Sequence, residues 1–237
     1  MQRRSNTDSA RESILQSIRA NLAASVADDA LEGELHHAAL PSVSTTPALV
    51  RDLPLVDWFK ESVEAVDGHC VVVENESELT SAVNGIIARL QETNLRARRI
   101  AISDGPEVES LVKTLSVDFD EIAVTPSAAA VFSYDVGISR AQAGIAETGT
   151  LLLDSSVERH RLVSLVPPVH IAILEERQIV GTLAEALAQL RESEQLTPIA
   201  TLVTGPSRTA DIELTLAIGV HGPQELFVVI VKQDPAN

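Results

Sequence analysis

Eight short, unbroken aliphatic runs recur along this chain: Cys70–Val73, Ile100–Ile102, Ile122–Val124, Val136–Ile138, Leu151–Leu153, Val169–Leu174, Ile199–Val203 and Leu226–Val231. Strands exposed on one face alternate apolar with polar residues; runs without alternation belong to strands covered on both faces. Amphipathic helical patterns separate several of them. Phe59, Val63 and Val66 suggest one helix, ended by Gly68. Ser77 then caps a second, with Leu79, Val83, Ile86, Ile87 and Leu90 on one face. Further helical segments cover Val108–Leu115 and the stretch opened by the capping box Thr182-Leu183-Ala184-Glu185. Alternating strands and helices predict an α/β fold, a mainly parallel sheet with helices on both faces. Aromatic residues are only 3% of the chain, so Val, Leu, Ile and Ala must fill the core.

The first 55 residues read differently. Ser9-Ala10-Arg11-Glu12 is a capping box, and Ile14, Leu15, Ile18 and Leu22 form a narrow apolar stripe behind it. Residues 27–54 are rich in Asp, Ser, Thr, Pro and Ala, as in a linker. The expected organisation is an amphipathic helix and linker arm over 1–55 and an α/β domain over 56–237. The helix either folds back on its own domain or docks on a partner.

The formal net charge of −16 argues against a protein that tracks a nucleic-acid backbone. The start, Met1-Gln2-Arg3-Arg4-Ser5-Asn6, is polar and unlike a secretory signal. No apolar stretch is long enough to span a bilayer, so the cytoplasm is the expected compartment. The single cysteine, Cys70, cannot form an intrachain disulfide or supply the thiolates of an iron–sulfur cluster. No cofactor motif stands out: GxGxxG after a strand, Walker A, HExxH and CxxC are all missing.

Four segments carry polar residues where a purely structural stretch would not need them. Gly144-Ile145-Ala146-Glu147-Thr148-Gly149-Thr150 precedes an apolar strand. It is either a helix end with a tight turn or a loop admitting a ligand. Thr148, Gly149 and Thr150 would bind and Glu147 would serve as base or nucleophile. In Arg161–His170, two prolines lead into a strand headed by His170, a hydrogen-bonded core residue or a proton carrier. The third segment, Thr204–Glu213, reads as strand, glycine turn and helix start, the helix running over Ile212–Ile218. Thr204, Gly205, Ser207, Arg208, Thr209, Asp211 and Glu213 are its candidate ligand-binding residues, Arg208 supplying a fork for a carboxylate or phosphate. Ordinary capping and an Arg208 ion pair to Asp211 or Glu213 are the alternative. The fourth, Gly219-Val220-His221-Gly222-Pro223, offers His221 as a proton carrier and Gly222 as a binding residue, with Gly219 ending the helix. The spacing of His170, His221, Asp211 and Glu213 fits no short metal motif, so no metal site is expected.

Taken in this order, the four segments resemble the lactate utilization protein C family (LutC/YkgG), built on the LUD domain. The resemblance runs over roughly Asp57–Val231 and implies a three-layer αβα sandwich like the NagB/RpiA/CoA-transferase group. It implies a cytoplasmic subunit without clusters, in a system oxidising L-lactate to pyruvate beside iron–sulfur protein partners. It also implies a histidine after Leu226, where this chain has Phe227. In the related CoA transferases a glutamate near a glycine turn attacks an acyl group, and Glu147 resembles it in motif shape. A stand-alone CoA-transferase-like or sugar-phosphate enzyme using Glu147 is therefore the rival expectation, and a scaffold with a vestigial pocket is a third.

Overall fold

A computed structural model describes residues 11–20, 52–157, 161–192, 199–209, 217–218 and 222–232. The chain divides into two units, Met1–Pro47 and Ala48–Asn237. In the first, residues 11–20 are helical, as the apolar stripe predicts.

The second unit is built on six parallel strands in the order β1-β12-β7-β4-β2-β3. These are β1 (His69–Val73), β2 (Arg99–Ile102), β3 (Glu121–Val124), β4 (Val136–Arg140), β7 (Val169–Glu175) and β12 (Glu225–Val231). Helices α2 (Glu76–Gln91) and α3 (Pro106–Lys113) cover one face. The helical spacing of Leu79, Val83, Ile86, Ile87 and Leu90 places α2's apolar stripe against Ile138, Ile171, Phe227 and Val229 in one core. Asn75, rather than Ser77, caps α2, its side chain accepting the Glu78 N–H at 3.0 Å. Both are good caps, and the one at the true chain reversal wins. Helices α1 (Leu55–Ala65) and α4 (Leu162–Leu165) lie on the other face. This is the expected αβα sandwich.

Beyond α1 a second, four-stranded sheet follows, which the aliphatic runs alone do not distinguish. Its order is β8-β5-β6-β9, from β5 (Ala143–Ile145), β6 (Thr150–Asp154), β8 (Ile179–Val180) and β9 (Ala200–Thr204). The runs at 151–153 and 199–203 thus pair with each other, antiparallel, rather than joining the parallel sheet. Helix α5 (Leu183–Glu192) packs on this small sheet through Ala186 and Leu190. Among the described residues no helix is long and apolar enough to cross a membrane.

Glycines set how closely these layers approach. A methyl group on Gly149, at φ 64°, would lie 2.5 Å from the backbone of α1 at Ser62 and Val63. On Gly137 in β4 it would collide with the backbone carbonyl of Val163 in α4. Gly137→Ala must push a helix off the sheet, because a backbone carbonyl cannot rotate away like a flexible side chain. Urea denaturation should show a loss of more than about 3 kcal/mol, or no folded protein. A loss under about 1 kcal/mol would mean that α4 is free to move.

Candidate functional site

In an open parallel sheet, ligands usually sit outside the carboxyl ends of the strands. There the structure holds a cavity of about 870 Å³. Glu74 after β1, Lys232 after β12, Glu175 at the end of β7 and Arg140 at the end of β4 line it. The first turns of α2 and α3 complete its wall, and Leu79, Leu111, Ile173 and Val231 give it an apolar floor. Thr80 and Thr114 join the two helices across it, their hydroxyls 3.0 Å apart.

The charges here are held in pairs. Arg140 bridges Glu107, at 2.8 Å, and Glu175. Burial alone would raise the Glu175 carboxyl, but the Arg177 hydrogen bond and the Arg140 charge hold it below the usual range. Lys232 reaches Glu74 at 2.7 Å, and this hydrogen bond raises the ammonium pKa. The two helix starts differ. Asn75 caps α2, whereas no side chain caps α3, which opens on Gly105 and Pro106. The free first-turn amides of α3 and the Arg140 fork can together receive a carboxylate or phosphate. Glu107 is the exchangeable partner, with 59% of its side chain exposed against 27% for Glu175.

None of the residues singled out from sequence motifs lines this cavity. Arg140, Glu175 and Lys232 went unnoticed, although one signal marks all three: each is a charged residue at the carboxyl end of an aliphatic run. The sequence motifs instead gather at the amino end of the parallel sheet, around the last turn of α1. Thr150 pairs with Thr204 in the small sheet. The hydroxyls of Thr148, Thr150 and Thr204 form a chain with both links at 2.7 Å. Gly205, at φ 75°, approaches so closely that a methyl group would lie 2.6 Å from the Val66 carbonyl. Ser207 donates its backbone N–H to Pro223 O at 2.7 Å and lies beside Gly222. Gln224 donates likewise to Pro168 O, so the proline segment joins the same cluster.

The turn after Thr204 does not start a helix. Arg208–Thr209 (β10) pairs antiparallel with Ala217–Ile218 (β11), so the expected helix is corrected at Ala217–Ile218, and residues 212–216 of it lie outside the described residues. Arg208 ion-pairs with Asp67, in the turn between α1 and β1. Asp211, Glu213, Gly219, His221 and the Thr209 side chain lie outside the described residues.

Glu147 belongs to a hairpin turn between β5 and β6, not to a helix end. Its carboxylate accepts the Leu183 N–H at 2.9 Å, at the start of α5. His170 lies in the middle of the parallel sheet, between Gly137 and Leu226, with no exposed surface. Its Nε2 lies 2.9 Å from the Ser139 hydroxyl, and its Nδ1 has no partner among the described residues. Burial pushes its pKa down to about 4. Cys70 is buried too, and burial pushes the thiol up to about 12, so it stays protonated at neutral pH.

Sheet order and layers define an α/β protein with a cavity at the carboxyl edge of its parallel sheet. A family model described as the LUD domain matches residues 56–231, and the chain belongs to that family. It is 45% identical over 101 residues to an uncharacterized protein of Neisseria meningitidis serogroup B, covering 42% of this chain and 43% of that one. A lactate utilization protein C of Deinococcus radiodurans is 36% identical over 140 residues, or 57% of this chain and 63% of that protein. Its counterpart in Bacillus licheniformis is 35% identical over 102 residues, 41% and 42% of the two chains. These matches span less than two thirds of each relative. A crystal structure of a DUF162 family protein from Deinococcus radiodurans shares the fold, with a TM-score of 0.55 and 24% identity over 75% of this chain and 96% of that one.

The buried His170 generates a prediction about stability. In the unfolded chain it takes up a proton near pH 6.5; in the folded protein it refuses one until about pH 4. Between those values the unfolded state binds more protons, so stability falls as the pH drops through that window. The contribution is on the order of 3 kcal/mol. The stability difference between the native chain and His170→Gln, measured by urea denaturation, should shrink by that amount from pH 7 to pH 4. A pH-independent difference would show that His170 is charged or solvated in the folded state.

Proposed function

We propose that this chain is a clusterless subunit of a system oxidising L-lactate to pyruvate, and that it binds a small carboxylate or phosphate-bearing anion in the carboxyl-end cavity. Relatives in the same family named lactate utilization protein C support the pathway. The uncapped α3 start facing the Arg140 fork supports the anion, and it is the observation that carries the site. A carboxylate entering there would take the place of the exposed Glu107 on Arg140, while Glu175 keeps the guanidinium anchored.

Lactate oxidation releases two electrons and two protons per pyruvate formed. One cysteine gives this chain no cluster ligand set of its own, and a thiol held at about 12 is a poor redox group. In this reading the electrons pass to iron–sulfur partners. The rival reading gives Glu147 an acyl group to attack. Its carboxylate already accepts the Leu183 N–H at the start of α5, a bond that a Gln amide oxygen also accepts.

Deletion of the gene should abolish or strongly slow growth on L-lactate while leaving growth on pyruvate intact; normal growth on lactate would remove the assignment. In the deletion strain, Glu147→Gln should restore growth fully, and failure of a folded Glu147→Gln protein would favour the acyl-transfer enzyme. Arg140→Lys keeps a charge beside Glu175 but removes the fork. Calorimetric titration with L-lactate and pyruvate should show affinity weakened at least fivefold, with little change in melting temperature. Unchanged affinity would exclude the carboxyl-end cavity.

A further inference from the structure

A second cavity, of about 600 Å³, opens at the outer edge of the parallel sheet, between β1 and α2. It lies apart from the carboxyl-end site and shares no lining residue with it. We propose that it binds a small organic anion that carries a flat ring, such as a nucleoside monophosphate.

Three observations carry this, none of which depends on the lactate reading. The first is charge. Glu64 faces Lys60 at 4.0 Å, Asp67 is paired with Arg208, and His69 Nε2 lies 3.0 Å from Glu225. Arg89, the other charged residue of the lining, has no carboxylate partner among the described residues. Its guanidinium lies over the Phe227 ring, 5.6 Å from the centroid. Arg89 is exposed at the rim of the cavity, and in a chain of net charge −16 its planar fork, free of a carboxylate among the described residues, is open to a phosphate or carboxylate.

The second observation is the ring platform. The His69 imidazole stacks on Phe227, with centroids 4.6 Å apart and planes 22° apart. Phe227 is buried, whereas 44% of the His69 side chain is exposed. A flat ligand ring would extend this stack over the exposed imidazole and contribute on the order of 1 kcal/mol.

The third is Gly85. It sits in the middle of α2, where glycine costs about 1 kcal/mol relative to alanine. The other glycines that approach a neighbour closely do so because a methyl group would collide. At Gly85 a methyl group would meet nothing within 4 Å. Gly85 is exposed and lines the cavity rim one turn before Arg89, so internal packing does not require glycine here. A volume of about 600 Å³ falls in the range of small-molecule sites.

Calorimetry on the full chain tests this with AMP, ribose 5-phosphate and inorganic phosphate as probes. AMP should bind with a Kd below about 1 mM and at least fivefold tighter than ribose 5-phosphate. Arg89→Gln should weaken AMP at least tenfold. Gly85→Ala should raise the melting temperature, and Gly85→Leu should block AMP while the protein remains folded by circular dichroism. Arg140→Lys, in the other cavity, should leave AMP binding unchanged, so failure of one site does not imply failure of the other. No AMP binding to the native chain, or equal affinity in Arg89→Gln or folded Gly85→Leu, would overturn the proposal. Equal affinity for AMP and ribose 5-phosphate would remove the ring from it.

Discussion

Helix α1 is the wall that two sheets share. Phe59 and Val63 are fully buried and pack with Leu174, Leu226 and Ile230 of the parallel sheet and with Leu151 and Leu153 of the small one. A helix this deeply placed must be approached closely from both sides, and three glycines permit it. Gly144 lies against Phe59 and Leu174, Gly149 against the backbone at Ser62 and Val63, and Gly205 against Val66. Two of them adopt positive φ, which a side chain would strain. The glycines of the sequence motifs therefore have a structural cause here. They seat the small sheet on α1, and the threonine chain from Thr148 to Thr204 then closes the seam with hydroxyl pairs.

This seam divides the molecule into two unlike ends. At the amino end the proline turn, the β9 turn and the Gly222 segment satisfy one another's backbone groups, and Arg208 neutralises Asp67. Polar groups spent on each other in this way have little left for a ligand. At the carboxyl end the strands stop at charged residues and an uncapped helix, and the first turns of α2 and α3 hold a cavity open between them. Part of the contrast follows from parallel topology: a helix that follows a parallel strand starts at its carboxyl end, so the starts of α2 and α3 converge there.

The parallel sheet was legible because strands covered on both faces give near-continuous apolar runs, as Ile171–Leu174 in β7 and Leu226–Val231 in β12 do. The small sheet was not, because Leu151–Leu153 and Ile199–Val203 look the same by composition. Their antiparallel pairing joins strands about 45 residues apart, with no local turn to announce it. Of the four motif segments, the described parts around Gly149, Gly205, Pro168 and Gly222 lie toward the amino end of the sheet, and Gly149 and Gly205 seat α1. Arg140 and Lys232 escaped notice because a single charged residue after a strand is common. Only the register that sets Arg140 beside Ile173, two residues from Glu175, makes it part of a site.

Helix α2 touches both cavities. Its first turn lines the carboxyl-end cavity, and its second half, from Ala82 to Arg89, lines the edge cavity. Sixteen residues span about 24 Å, so the two sites lie far enough apart for their ligands not to touch. Coupling between them would need α2 to move as a body. Its stripe from Leu79 to Leu90 is locked into the core beside Ile171 and Val229, and a packed core resists gradual displacement. The two cavities are thus held on one rigid strut, and binding at either is expected to leave the affinity of the other nearly unchanged. An anion bound over Arg89 would add its effect through stability rather than through the geometry of the Arg140 site.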